Sequence, residues 1–163
     1  LVSRQHNLAF VQVVGRGAFE NAHLLKSFYT GLLQEGVQRF VVDLSACTYL
    51  DSTFLGTLAG LGIKLRAAGS GRLHIVNVTS RNIELLQNLG LDRVFAIDIC
   101  ALDFKASPAE VLQTDRPPDP VQAGEQVLEA HLALIEADAR NLPKFKDVIT
   151  FLREDLAQKS GPA

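Results

Sequence analysis

The sequence predicts a small α/β domain, a sheet with helices packed on it, followed by a C-terminal helical pair. Three observations predict it. Short β-branched and apolar runs alternate with stretches at helical spacing over the first two thirds of the chain. The composition then changes near residue 107: residues 1–106 carry ten Lys and Arg against eight Asp and Glu, and residues 107–163 carry six against ten. Between the parts stands Pro117-Pro118-Asp119-Pro120, which continues neither a helix nor a sheet ladder. The expected organisation is a domain over 1–106, a linker over 107–120 and a helical extension over 121–163.

Each element has its own signal. Leu8 to Val14 is apolar and β-branched and stops at Gly15, with Gly15-Arg16-Gly17 read as a turn. Ala22 to Gln34 places Leu24, Leu25, Phe28, Leu32 and Leu33 at helical spacing before Gly36. Arg39 to Leu44 reads as a buried strand, and Ser45 to Leu50 as a loop. A helix from Thr53 to about Ala68 carries Leu55, Leu58, Gly62 and Leu65 on one face, and Gly69-Ser70-Gly71 closes it. Arg72 to Val78 is the next strand, Ser80 can cap a helix ending at Gly90, and Val94 to Ile97 is a short last strand. Such alternation implies β-α-β crossovers.

In the tail, one amphipathic helix spans about Val121 to Asp138, with Val127, Leu128, Leu132 and Ile135 as its stripe. A second spans about Pro143 to Gln158, with Phe145, Val148, Ile149, Leu152 and Leu156. Amphipathicity leaves three roles open: packing on its own domain, homodimerisation through the Val148/Leu152/Leu156 stripe, or capture of another partner.

Composition narrows the function classes. The hydrophobic fraction of 47% excludes disorder over most of the length, and the net charge of −2 offers no basic excess for nucleic acid. Cys47 and Cys100 form no motif and fit a reducing cytosol. No apolar run approaches the roughly 18 residues of a membrane span, and nothing at the start resembles a signal peptide, so a cytoplasmic protein without membrane contact is expected. With no Met in the chain, the start codon is expected upstream of Leu1. His6, His23, His74 and His131 have no metal-ligand spacing, and no phosphate loop or nucleophile elbow is present. No metal, no cofactor and no catalytic residue are therefore expected. Asp43 reads as a polar residue at a strand end.

The most informative stretch runs from Val41 to Gly56. A buried strand leads through a short segment to Asp51-Ser52-Thr53 at the mouth of a helix. Asp51 or Ser52 can serve there simply as an N-cap. The residues around it carry a resemblance. Asp43-Leu44-Ser45, Leu50-Asp51-Ser52-Thr53 and Leu55-Gly56 resemble the signature of the STAS domain, the family of bacterial anti-sigma-factor antagonists. Phe54 stands where that family usually has Gly. Gly71 to Val76, and Leu85 to Phe95 with its Leu-Gly-Leu-Asp segment, continue the likeness, which covers about residues 7–104.

The resemblance implies a small mixed sheet with helices packed on it and a partner-switching role in transcription. Such antagonists bind an anti-sigma factor that is also a serine/threonine kinase. Phosphorylation of the motif releases them, and a serine/threonine phosphatase resets them. The acceptor carries over to Thr53, with Ser52 as the adjacent alternative and Asp51 as the preceding acid. Asp51, Ser52, Phe54 and Asn21 then border the partner surface. Phe54 has two readings, a core residue or an exposed anchor, and Asn21 can instead be an ordinary helix cap. A non-phosphorylated STAS scaffold or ligand-sensing module is the alternative function, and a small α/β enzyme a third.

Overall fold

In a computed structural model that describes residues 1–98, 109–113 and 118–159, the chain opens with a hairpin. Strands β1 (Val2–Gln5) and β2 (Leu8–Gln12) pair antiparallel through a turn at His6, whose φ is +52°. The sequence reading began only at Leu8. β1 escapes it because four residues, two of them exposed, carry no apolar alternation long enough to stand out.

The main sheet has the order β1-β2-β4-β6-β7, with β4 at Arg39–Asp43, β6 at Leu73–Val76 and β7 at Phe95–Asp98. Every pairing after the hairpin is parallel, so the sheet is mixed. A second, two-stranded parallel sheet joins β3 (Gly15–Gly17) to β5 (Cys47–Leu50). Both were expected as irregular, β3 as a turn and β5 as a loop. Neither has a propensity signal of its own; each is held extended by the other across thirty residues.

Three helices fill the crossovers: α1 (Phe19–Gln34), α2 (Ser52–Ala67) and α3 (Ser80–Asn88). α3 is capped by Thr79, whose Oγ1 accepts from the Asn82 N–H, rather than by Ser80. The main core lies between these helices and the sheet, around Leu25, Tyr29, Phe40, Val42, Leu55, Leu58, Leu65, Leu73, Ile75 and Phe95. The alternate residues Phe10, Val41 and Val76 make a second small cluster, as the two-residue repeat of a strand requires.

The tail forms α4 (Pro120–Ala137) and α5 (Leu142–Lys159), joined by a 3-10 turn at Ala139–Asn141. Pro120 occupies the first turn of α4, and the Asp119 carboxylate caps it by accepting from the N–H groups of Val121 and Gln122. Of the linker expected over 107–120, residues 107–108 and 114–117 lie outside the described residues, as does Cys100. Within it, Glu110 bridges Val2 through two backbone hydrogen bonds of 2.7 Å, adding to the edge of β1. No helix among the described residues is long and apolar enough to cross a membrane.

α4 packs on α2, and α5 packs on α4. The C-terminal end of α4 is held by buried polar groups. Asn141 is fully buried, and its Nδ2 donates to the carbonyls of Leu89 and Leu134 at 2.9 and 2.8 Å. The Asp138 side chain is 5% exposed, paired with Arg140 and 3.7 Å from Arg93. Gly90, at φ +67°, ends α3 directly beneath Asp138, where a side chain would overlap that carboxylate. Hydrogen bonds from the Arg140 side chain, then from its backbone N–H, hold the Asp138 carboxyl well below the usual carboxylate range. A depressed folded-state value gives stability that is complete above the unfolded value, about 4, and fades as pH falls below it. Asp138→Asn is therefore expected to melt earlier than the parent at pH 7, with the gap narrowing at pH 3. Thermal melts at both pH values check this.

The apolar stripe of α5 is divided between two environments. Ile149 is buried, Phe145 packs against the core, and Leu156 meets Gly124 of α4. Val148 stays 41% exposed beside Phe151 at 65%.

Candidate functional site

The site grows from the end of β4. Asp43, almost fully buried, accepts from the Ser45 N–H at 2.8 Å, the Ser45 hydroxyl at 3.1 Å, Asn77 Nδ2 at 2.9 Å and Gln12 Nε2 at 3.2 Å. This network turns the chain out of the sheet and into β5. It uses Asp43 and Ser45 as structure.

β5 delivers Asp51 to the mouth of α2. Asp51 Oδ1 accepts from the Phe54 N–H at 2.8 Å, which makes it the N-cap of α2. Its Oδ2 accepts from the Phe19 N–H at 2.7 Å, at the first turn of α1. One carboxylate thus ties the N-termini of two helices, which favour a negative charge. Asn21 completes the junction: its Oδ1 accepts from the Ala18 N–H at 2.9 Å, and its Nδ2 donates to the Arg16 carbonyl at 2.7 Å. Both ends of the Asn21 amide are therefore engaged within its own turn, and α1 starts at Phe19, three residues before the expected Ala22.

Phe54 is 4% exposed and packs with Leu50 over Gly17. As the third residue of α2 it shares the inward face with Leu58, Leu61 and Leu65, so of its two readings it is the core residue and not the exposed anchor. The exposed apolar surface lies elsewhere. Val14, Phe19 and Tyr49 are 59%, 48% and 40% exposed, on the segments flanking Asp51. The Arg16 guanidinium lies over the Tyr49 ring at 4.3 Å from its centroid. Sequence reading missed this patch because its members come from three segments: Val14 at the end of an expected strand, Phe19 at the start of α1 and Tyr49 in β5. Its only trace is an apolar residue directly beside each turn.

The two hydroxyls occupy the first turn of α2, on the stripe opposite Phe54. Ser52 is half-buried and its Oγ lies 3.1 Å from His131 Nε2 of α4. His131 Nδ1 lies 2.7 Å from the Val127 carbonyl, which can only accept, so Nδ1 carries the proton. In the neutral ring Nε2 is then the acceptor, and the Ser52 hydroxyl donates to it. His131 is 4% exposed and packs edge-on against Phe145 at 5.0 Å. Thr53, expected as an accessible acceptor, is only 6% exposed. Thr57, one turn on, is buried and donates to the Thr53 carbonyl at 2.8 Å. A phosphate on this turn would meet the positive end of a helix dipole, which accommodates such a charge.

Other candidate chemistry is sparse. The Cys47 thiol is buried, donates to the Tyr49 carbonyl at 3.4 Å, and is pushed up by that burial. Among the described residues, no group of three or more His, Cys, Asp or Glu is placed to hold a metal ion.

Comparison with known proteins adds the family. The STAS domain model matches residues 2–107. No curated protein matches the chain. Among solved structures, the anti-sigma factor antagonist SpoIIAA in its unphosphorylated form is similar at a TM-score of 0.54 and 15% identity, covering 65% of this chain and 92% of that one. TM1081 from Thermotoga maritima is similar in its crystal structure, with a TM-score of 0.52, 21% identity and coverage of 61% and 86%. The NMR structure of TM1081 gives 0.53, 23%, 59% and 77%. These likenesses concern the fold, and each stops short of the whole chain. The match over 2–107, with the Asp51-Ser52-Thr53 turn inside it and α4 and α5 beyond it, places the chain in the STAS domain family.

Proposed function

We propose that the protein is a partner-switching regulator of the anti-sigma-factor-antagonist kind. It binds an anti-sigma serine/threonine kinase and is released when that kinase phosphorylates Thr53, with a serine/threonine phosphatase restoring it. The observation that carries this reading is the corner itself: two hydroxyls on the first turn of α2, with the exposed Val14, Phe19 and Tyr49 on the segments flanking Asp51. An apolar and aromatic patch beside a modifiable helix end suits protein docking. Asp51 serves the scaffold, since both of its oxygens already cap helices. In this reading the chain is a cytoplasmic substrate and binding module, not a catalyst.

The size of the switch follows from charge. Phosphate adds about −1.5 to −2 charges. Leaving a charge unpaired in a closed interface costs about 2–5 kcal/mol, or roughly 30- to 5,000-fold in affinity. Release therefore needs no unfolding.

The test is incubation with ATP and each anti-sigma serine/threonine kinase encoded in the same genome, with phosphate mapped by mass spectrometry. The parent chain is expected to gain one phosphate and Thr53→Ala none. Phosphate on Ser52 alone would move the acceptor by one residue. A second reading, a non-phosphorylated STAS scaffold, is favoured by the burial of Thr53 and the Ser52–His131 bond. It prevails if no encoded kinase modifies the chain.

A further inference from the structure

We propose that α4 is a built-in mask over the hydroxyl-bearing face of α2, and that the Thr53 turn becomes available only when α4 lifts away. This rests on the phosphorylation reading for its purpose but on packing alone for its geometry.

On a helix, residues three, four and seven apart share a face. Ser52, Thr53, Gly56, Thr57 and Gly60 therefore make one stripe of small and hydroxyl side chains, opposite the apolar Phe54, Leu58, Leu61 and Leu65. In a domain ending at the family boundary, nothing after residue 107 would cover that stripe. Here α4 lies along it. A Cβ at Gly56 would overlap the Ala130 carbonyl, and one at Gly60 would stand 3.9 Å from the Ala133 Cβ. His131 closes the end of the stripe, with its Nε2 3.1 Å from the Ser52 hydroxyl. Thr53 and Thr57, on the same stripe, are 6% and 4% exposed, and Thr57 lines the groove that Gly56 and Gly60 form with Ala130 and Ala133.

The mask is fixed unequally along its length. Its C-terminal end is anchored through Asp138 and Asn141 to the end of α3. Toward its N-terminus, an open cleft of about 960 Å³ lies between α4 and α1, lined by His23, Ser27, Gln122, Gln126 and Glu129. His23 Nε2 and Gln126 Nε2 are buried beside it without a hydrogen-bond partner. Buried polar atoms in that condition are unfavourable, and hydration on opening would relieve them. α4 is thus pinned near Asn141 and loosely seated beyond Glu129, an arrangement suited to pivoting about the 3-10 turn.

Two experiments on the full chain separate the mask from the modification. In the first, Thr53→Cys in a Cys47→Ala/Cys100→Ala background reports access through its rate of reaction with a thiol reagent. The mask predicts a rate at least tenfold below that of the denatured chain. It also predicts a rise of tenfold or more when Ala133→Leu, which wedges the helices apart from the α4 side, is added. A rate equal to that of the denatured chain, or one untouched by the wedge, overturns the mask. The second uses Gly60→Cys/Ala133→Cys in the same background with Thr53 intact. The 3.9 Å spacing lies within the roughly 3.5–4.5 Å that a disulfide spans between Cβ atoms. Oxidation should cut phosphate incorporation at least tenfold, and dithiothreitol should restore it. Equal incorporation by both forms overturns the mask and leaves the phosphorylation reading standing. Incorporation by neither form defeats that reading, and the thiol rates alone then decide the mask.

Discussion

Asp51→Ala is expected to lower stability by about 2–4 kcal/mol, among the largest effects available at an incompletely buried position. Two losses combine. Removing an N-cap acceptor costs about 0.5–2 kcal/mol. Removing a charge-assisted acceptor from a second helix terminus costs about 1.5–3 kcal/mol more, reduced where water can replace it. At the roughly 2–4 °C per kcal/mol of a chain this size, the melting temperature should fall by about 5–15 °C. Asp51→Asn keeps one acceptor oxygen and should lose about half as much. The order Asp, Asn, Ala in thermal melts is the check, because it separates capping from a purely electrostatic role. The same measurement bears on function. If the acid of the motif mattered only as a recognition element for a kinase, Asp51→Ala would melt with the parent and fail only in phosphate uptake.

This double use of Asp51 marks the limit of what the residues reveal on their own. An N-cap is a local event, and Asp51-Ser52-Thr53 before an apolar helix announces it. The second bond, to Phe19, joins positions 32 residues apart and depends on the pairing of β3 with β5. Neither of those strands has enough β-branched residues to declare itself. Long elements with one apolar face were legible: α1, α2, α4, α5 and the buried β4 all fall within a few residues of expectation. The edge strand β1 was not, since half of it faces solvent.

The site was legible in part for the same reason. The hydroxyls could be placed on a helix mouth from the motif. The seating of α4 on their helix could not, because His131 lies 79 residues beyond Ser52 and an amphipathic tail does not state which surface it covers. Gly56 and Gly60 did carry a hint. A glycine in a helix interior costs about 1 kcal/mol relative to alanine, and two of them one turn apart on one face suit a second helix packed at close range. Phe54 was the opposite case. Of its two readings the core one follows from the helix itself, since the angular step from Thr53 to residue 54 turns it onto the core face with Leu58 and Leu61.

Asn141→Ala is expected to detach the C-terminal pair. The Asn141 amide is fully buried and satisfies two carbonyls, one closing α3 and one in the last turn of α4. Truncation would strand the Leu89 carbonyl in a dry contact, at about 1–3 kcal/mol, and would leave the Leu134 carbonyl with only its bond from the Asp138 N–H. Asn141→Asp should be worse still at neutral pH, since a carboxylate would face two carbonyl oxygens with only Lys144, 3.2 Å away, to offset it. The loss should concentrate at the docking of α4 and α5, because the two carbonyls that the amide meets lie at the end of α3 and in the last turn of α4. Hydrogen exchange monitored by mass spectrometry is the discriminating measurement. Protection in α4 and α5 should fall by tenfold or more while that in β4 and β6 is retained. A uniform loss across the sheet would mean that the two helices fold as one unit with the domain beneath them. α4 could then uncover Thr53 only by unfolding the whole molecule.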